Sequence, residues 1–375
     1  MKNSVRIAAL ASSFAALLSL TTAVSAQNDA ARTIYRSAAS IPTNIQGVRT
    51  YPAPPEGFNA MNASDEELAT YGFPPRPDKA AHPETFAHWS HAMLSAKHRM
   101  NGELRAHPEI KTGPAILSKS KVKSEAVEAI QGSATPLTFN STNWSGVANT
   151  NTLTKWNSKS SVGIVASEFN VPVVQQAFDV CDGGYDWEVS WNGIDGAKNG
   201  DVLQGGSSSQ AYCANNKPQQ FYYAWVEWYP SYPILEVFGV NPGDDMFVET
   251  YDLDGGCNPG NVFVEDETTL AYGTYTLDYK TGPCLVGNSA EFIVERPGGG
   301  NGLYPLANYI WDFALSWGYT LKGTYLTPGS TAASTYIFNM VDDNGDQVIS
   351  VPTVEGKTSL FFYDTGCAYT GGCVR

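Results

Sequence analysis

From about residue 138 onward the chain is a series of short β-branched and aromatic runs punctuated by Gly, Pro, Asn and Asp. "SSVGIVASEFNVP", "QQFYYAWVEWYP", "DMFVETYDL", "NVFVEDETTLAYGTYTLDYK" and "TSLFFYDTG" read as strands, at intervals suited to a β-sandwich or barrel. No internal repeat accompanies them. Only "PLANYIWDFALSWGY" reads as helical in this region. Composition agrees with a turn-rich β protein: charged residues are 16%, aromatics 12%, and there are 35 glycines.

The N-terminal third is different. Lys2 and Arg6, the apolar "IAALASSFAALLSL" and the small residues "VSA" predict a signal peptide over residues 1–26, and so a secreted, extracellular protein. No later segment is apolar for long enough to span a membrane. Residues 27–133 hold all five histidines, while residues 134–375 carry nine Lys and Arg against 26 Asp and Glu, a net of −17. So acidic a surface repels nucleic acid and anionic membrane, and neither is an expected partner. Charge segregation points to a basic propeptide over residues 27–135, laid on an acidic domain over 136–375 as its inhibitor. A small accessory domain is the alternative. Phe86, Trp89, Met93 and Met100 in "TFAHWSHAMLSAKHRMNGEL" are spaced for a helix, and "VKSEAVEAIQGSATP" reads as a cleavable linker.

The most informative chemical fact is an absence. Residues 134–375 contain no histidine, which excludes Ser-His-Asp, Cys-His and His-ligated zinc sites there. Carboxylates are left as the principal acids and bases. The six cysteines of an exported chain predict disulfides, paired in sequence order, and no metal site or cofactor is expected. "DDNGDQ" at 342–347 lacks the glycine and closing glutamate of a calcium loop and reads as a hairpin turn.

Three stretches carry candidate chemistry. "WNGIDGAKNGDVLQGG" sets Trp191, Asp195 and Gln204 around tight glycine turns, and "AWVEWYP" puts Trp225 and Glu227 on one strand face. In "SAEFIVERP", alternation places Glu291 and Glu295 on one face of an otherwise apolar strand. Asp195 is suited either to capping its turn or to supporting the site. Trp144 and Trp191 are suited to lining a cleft or to core burial.

"NWSG" (143–146), "WNGIDG" (191–196), "LQGG" (203–206), "AWVEWYP" (224–230) and "AEFIVERP" (290–297) occur in the order found in the eqolisin family of glutamic peptidases, which this chain resembles. The resemblance implies a sandwich of two antiparallel sheets, made as a secreted proenzyme and acting on polypeptides as an acid endopeptidase; a monomer is expected. It also implies a catalytic pair of Gln204 and Glu291. From the residues themselves, Trp144, Trp191, Asp195 and Glu227 are substrate-binding candidates, and Glu295, on the same strand face, is the competitor for the base. Two departures stand near the chemistry: the family's Thr after the glutamine is Gly205, and its Trp after the first glutamate is Phe292. The physical logic fits, since a glutamate can activate water and a glutamine amide can hold it and stabilise the oxyanion. The rival readings are a β-sandwich glycoside hydrolase with a Glu227/Glu291 pair and a non-catalytic carbohydrate-binding module. The glycosidase has no need for Gln204, and a lectin has no evident reason to carry the basic leader.

Overall fold

The computed structural model describes residues 32–100, 103–118, 135–177, 181, 184–300, 302–309, 312–331 and 334–365. The signal sequence, residues 119–134 of the linker, and Cys367 and Cys373 lie outside the described residues. The acidic region forms two facing layers of antiparallel strands. One runs in the order Ala271–Leu277, Gly260–Asp266, Asp245–Tyr251, Val162–Asn170 and Asp312–Thr320. The other runs Ile234–Gly239, Lys217–Tyr229, Val202–Ala214, Tyr185–Ile194, Ser289–Glu295, Trp144–Thr150 and Thr335–Val341. Strands Val348–Glu355 and Ser359–Asp364 join the layers along one side.

Alternation along each strand decides what lies between the layers. Val165, Met246, Val248, Val262 and Val264 of the first layer share one buried cluster with Leu203, Ala224, Val226, Ala290, Phe292 and Val294 of the second. The opposite faces of the same strands carry the carboxylates and most of the large aromatics. The expected sandwich is therefore present. The helix expected in "PLANYIWDFALSWGY" is not: Asp312–Thr320 is a strand held between Val162–Asn170 and Ser359–Asp364. Residues 342–347 form the hairpin turn, with Asp342 accepting from the Asp346 and Gln347 N–H groups. Cys181–Cys213 and Cys257–Cys284 are disulfide-bonded, as sequential pairing predicts.

The N-terminal region wraps the sandwich on both outer faces. Helix Asp65–Thr70 starts with a capping box of Ser64 and Glu67, and helix Pro83–Ser95 starts with proline in its first turn. Leu68, Phe73, Trp89 and Met93 are buried with Phe247, Phe263, Tyr272 and Trp317 on the first layer's outer face. The second helix stops before Met100, because His98–Arg99 leaves it to pair in parallel with Ala271–Tyr272. Val48–Thr50 and Arg105–His107 extend one edge of each layer. Opposite charges line the contact: Arg36 meets Asp254, Arg49 meets Asp278, His88 meets Glu168, His91 meets Glu267, and His107 meets Glu236.

Candidate active site

Four neighbouring strands of the second layer build the site. Their register sets Glu291 opposite Gly193, Gly193 opposite Gln204, and Gln204 opposite Glu227. Adjacent cross-strand partners are close enough to bond directly. Gln204 Nε2 donates to Glu227 Oε2 at 2.7 Å. Glycines let these strands and layers approach. A Cβ on Gly206 would lie 1.9 Å from the Ser190 carbonyl oxygen, and one on Gly205 would lie 2.4 Å from Val262 Cγ1. The departure at Gly205 thus faces the sandwich core and not the carboxylates.

Glu295 lies further along its strand, on the same face as Glu291 and Ile293. Its Oε2 accepts from Trp191 Nε1 at 3.0 Å, and its Oε1 accepts from Asn143 Nδ2 at 3.3 Å. Trp144 packs edge-on against Trp191, with centroids 5.1 Å apart, so the two tryptophans wall this end of the site. Glu291 has different company. Its Oε1 accepts from the Ala197 N–H at 3.2 Å, and the Ser289 hydroxyl lies beside the buried carboxylate. Asp195 accepts from the N–H groups of Val286, Gly287 and Asn288, which fixes the turn entering the Ser289–Glu295 strand. Asp195 and Glu291 therefore share one end of the face, and Gln204, Glu227, Trp191 and Glu295 surround its middle.

The middle is crossed by a segment that sequence reasoning missed. Residues 110–118 run as an extended strap over this face. Thr112 Oγ1 donates to Glu227 and accepts from Gln204 Nε2 at 3.0 Å. The next residue, Gly113, lies beside the Glu295 carboxyl. Asn143, also missed, accepts from the Ile116 N–H at 2.7 Å and donates to the Pro114 carbonyl at 3.1 Å. Nothing in "EIKTGPAILS" announces these contacts, and "NWSG" gives the only hint of Asn143.

Burial under the strap governs protonation. It pushes the Glu227 carboxyl up to about 8, against the lowering effect of the Thr112 and Gln204 hydrogen bonds. Burial also raises Glu295 well above the usual carboxylate range; the Glu227 charge adds to this, and the Asn143, Trp191 and Gly113 donors oppose it. Glu291 is raised chiefly by burial as well. Among the described residues no group of His, Cys, Asp and Glu is arranged to hold a metal ion.

Comparison with known proteins bears on this arrangement. Residues 142–360 match the Peptidase A4 family. Among solved structures, scytalido-glutamic peptidase bound to a peptide-based transition-state analogue is 21% identical over 60% of this chain and 98% of its own, with a TM-score of 0.47. SCP-B, a member of the eqolisin family in complex with the tripeptide Ala-Ile-His, is 19% identical over 60% and 98%, with a TM-score of 0.45. Aspergilloglutamic peptidase from Aspergillus niger is 24% identical over 48% and 99%, with a TM-score of 0.40. No curated protein matches. The family match covers more than half of the chain, including every strand that carries Gln204, Glu227, Glu291 and Glu295, and on that ground the chain belongs to the Peptidase A4 family of glutamic peptidases.

Proposed function

We propose that the protein is the secreted zymogen of a monomeric acid endopeptidase, with Glu295 as general base, Gln204 as oxyanion stabiliser and leader residues 27–135 as inhibitor. The observation that carries this reading is the strap: Thr112 ends on both Gln204 and Glu227, in the middle of the face that also carries Glu295. Glu295 is preferred to Glu291 because it is held by the side chains of Trp191 and Asn143 beside Gln204 and Glu227, whereas Glu291 accepts from the Ala197 N–H at the Asp195 turn. The glycosidase and lectin readings fall with the family assignment.

Hydrolysis then follows from the groups present. With the strap displaced, Glu295 takes a proton from water and later delivers it to the leaving nitrogen. Gln204 Oε1 is buried without a partner among the described residues and is free to orient that water. Its Nε2, released by Thr112, donates to the developing oxyanion. Glu227, neutral in acid, fixes the Gln204 amide without adding charge beside Glu295. Solvent readmitted with the strap gone lowers Glu295 toward the acid range, helped by the Trp191 and Asn143 donors. Trp144 and Trp191 line the substrate path, and Asp195 supports it through the loop it holds.

Acid also frees the leader. Arg36, Arg49, His88, His91 and His107 face carboxylates across this contact, and lowering the pH removes no charge from a cation, so acid weakens the contact from the carboxylate side. The test is a digest of a denatured protein by the full chain, from strongly acid to neutral pH, with Gln204→Ala beside it. Cleavage should peak in acid and resist chelators, and the variant should lose about 10²–10³ in rate. Near-normal cleavage by a folded Gln204→Ala protein would remove that residue from the mechanism.

A further inference from the structure

We propose that Arg296 is a positioning residue for the reaction. Its guanidinium locks together the 142–143 turn and the glycine-rich hairpin that follows Glu295, and so holds the Asn143 amide on the Glu295 carboxyl. This rests on Glu295 being the base.

Arg296 is the residue after Glu295, and its bonds reach three other segments of the chain. Its backbone N–H donates to the Asn143 carbonyl at 2.9 Å. From the side chain, Nε donates to the Tyr304 carbonyl at 2.9 Å, Nη1 donates to the Thr142 carbonyl at 3.5 Å, and Nη2 pairs with Asp343 Oδ1 at 3.1 Å. A guanidinium spreads its donors over a rigid fork, whereas the lysine ammonium presents all of its donors from one point. Asp343 belongs to the "DDNGDQ" hairpin turn, which Asp342 fixes by accepting from the Asp346 and Gln347 N–H groups. That turn is thereby part of the scaffold of the site.

Both tied segments border the reacting groups. Asn143 donates to Glu295 Oε1 at 3.3 Å, and the Thr142 N–H donates to the strap at Ile116 O, at 2.9 Å. Gly298–Gly299 pairs with Gly302–Leu303, and Gly298 exchanges both backbone hydrogen bonds with Lys111 of the strap, at 2.9 and 2.6 Å. With glycine at 298, 299, 300 and 302 this hairpin has few side chains of its own to pack, so the bond from Arg296 to the Tyr304 carbonyl supplies rigidity that the sequence does not. Arg296 is only 6% exposed. Burial lowers its guanidinium, and Asp343 and Asp342 oppose that. A neutral side chain would avoid the desolvation of a cation, so the charge is kept for the geometry that its fork imposes.

The consequence falls on Glu295. The Asn143 donor opposes the effect of burial there, so a displaced Asn143 leaves the carboxyl higher and moves the acid limb of kcat to higher pH. Glu227, on the Lys217–Tyr229 strand, raises Glu295 in every variant alike.

The experiment measures kcat and KM across the acid range for acid-active full-length protein on one denatured substrate. The variants are Arg296→Lys, Asp343→Asn, Asn143→Ala and the Arg296→Lys/Asn143→Ala double, each checked for folding by circular dichroism. Arg296→Lys should lose about 10- to 100-fold in kcat, with its acid limb moved to higher pH. Asp343→Asn should shift the limb in the same direction by less. The double variant should be no worse than the worse single, because both changes act through one amide. Additive losses, or a folded Arg296→Lys protein with the parent kcat and pH profile, would overturn the proposal. If Arg296→Lys does not fold, Asp343→Asn decides, and an unmoved acid limb there overturns it. A fully active Glu295→Gln protein would instead overturn the choice of base, and this inference with it.

Discussion

The leader covers the two outer faces of the sandwich in contrasting ways. On the first layer it lays down a helix: Trp89 and Phe73 are buried, and Phe73 stacks on Tyr272 with centroids 5.5 Å apart. On the second layer it lays down an extended strap whose contacts are mostly hydrogen bonds, with Ile110 as its fully buried apolar anchor. Apolar burial of the first kind has no substitute in water, whereas water or a substrate replaces strap hydrogen bonds at small net cost. Under the proposed zymogen function, the first face stays covered and the second is vacated.

The largest effect should come from the helix side. Trp89→Ala removes a fully buried indole and should destabilise the full chain by about 3–5 kcal/mol, measured by denaturant unfolding. Latency at neutral pH should not change among the molecules that remain folded. A rise in neutral activity at constant folded fraction would mean that helix and strap act as one unit.

Next in size is the pH dependence of stability. Burial holds Glu227 and Asp201 at about 8 and Asp252 at about 7. Between the usual carboxylate range near ~4 and those values, the folded chain keeps protons that the unfolded chain has released. Stability should therefore fall as pH rises through that window. The leader's histidines act with the same sign. His88 is raised by its hydrogen bond to Glu168; burial lowers His107, but Glu236 and Glu109 together raise it. Their contribution is complete below the ordinary histidine range near ~6.5 and is lost as pH climbs through the raised values. Thermal midpoints of the full chain should be higher at about pH 4 than at about pH 8; the reverse order would contradict the burial of these groups.

The strap side should respond more gently, in activity and with only a small change in stability. Thr112→Val removes the hydroxyl from Gln204 and Glu227, and should raise cleavage by the uncut chain a few-fold with a shift in unfolding midpoint corresponding to about 1 kcal/mol. Unchanged latency would show that the backbone of the strap blocks the site without help from Thr112.

How much of this was legible in the sequence follows from the reach of each contact. Strand runs, the sandwich and the helix around Trp89 follow from local periodicity. Asp312–Thr320 was misread because a short apolar run has no decisive period, and only pairing with strands far away in sequence settles it. Gln204, Glu227 and Trp191 lie in distinctive motifs and do converge. The strap does not announce itself, because Thr112 meets a carboxylate on Glu227, far along the chain, and no pattern at 112 encodes that partner. The choice between Glu291 and Glu295 is equally hidden: alternation puts both on one face, and only the neighbours of each carboxylate separate them.

That choice is the central claim, and one pair of variants tests it. Glu295→Gln and Glu291→Gln keep the shape of each side chain and remove its basicity. With folding checked by circular dichroism, kcat would be measured for both in acid on the same denatured substrate. Glu295→Gln should lose at least about 10³ in kcat, whereas Glu291→Gln should stay within about tenfold of the parent. A folded Glu291→Gln protein that is dead beside an active Glu295→Gln protein would contradict the account and return the base to the Asp195 end of the face.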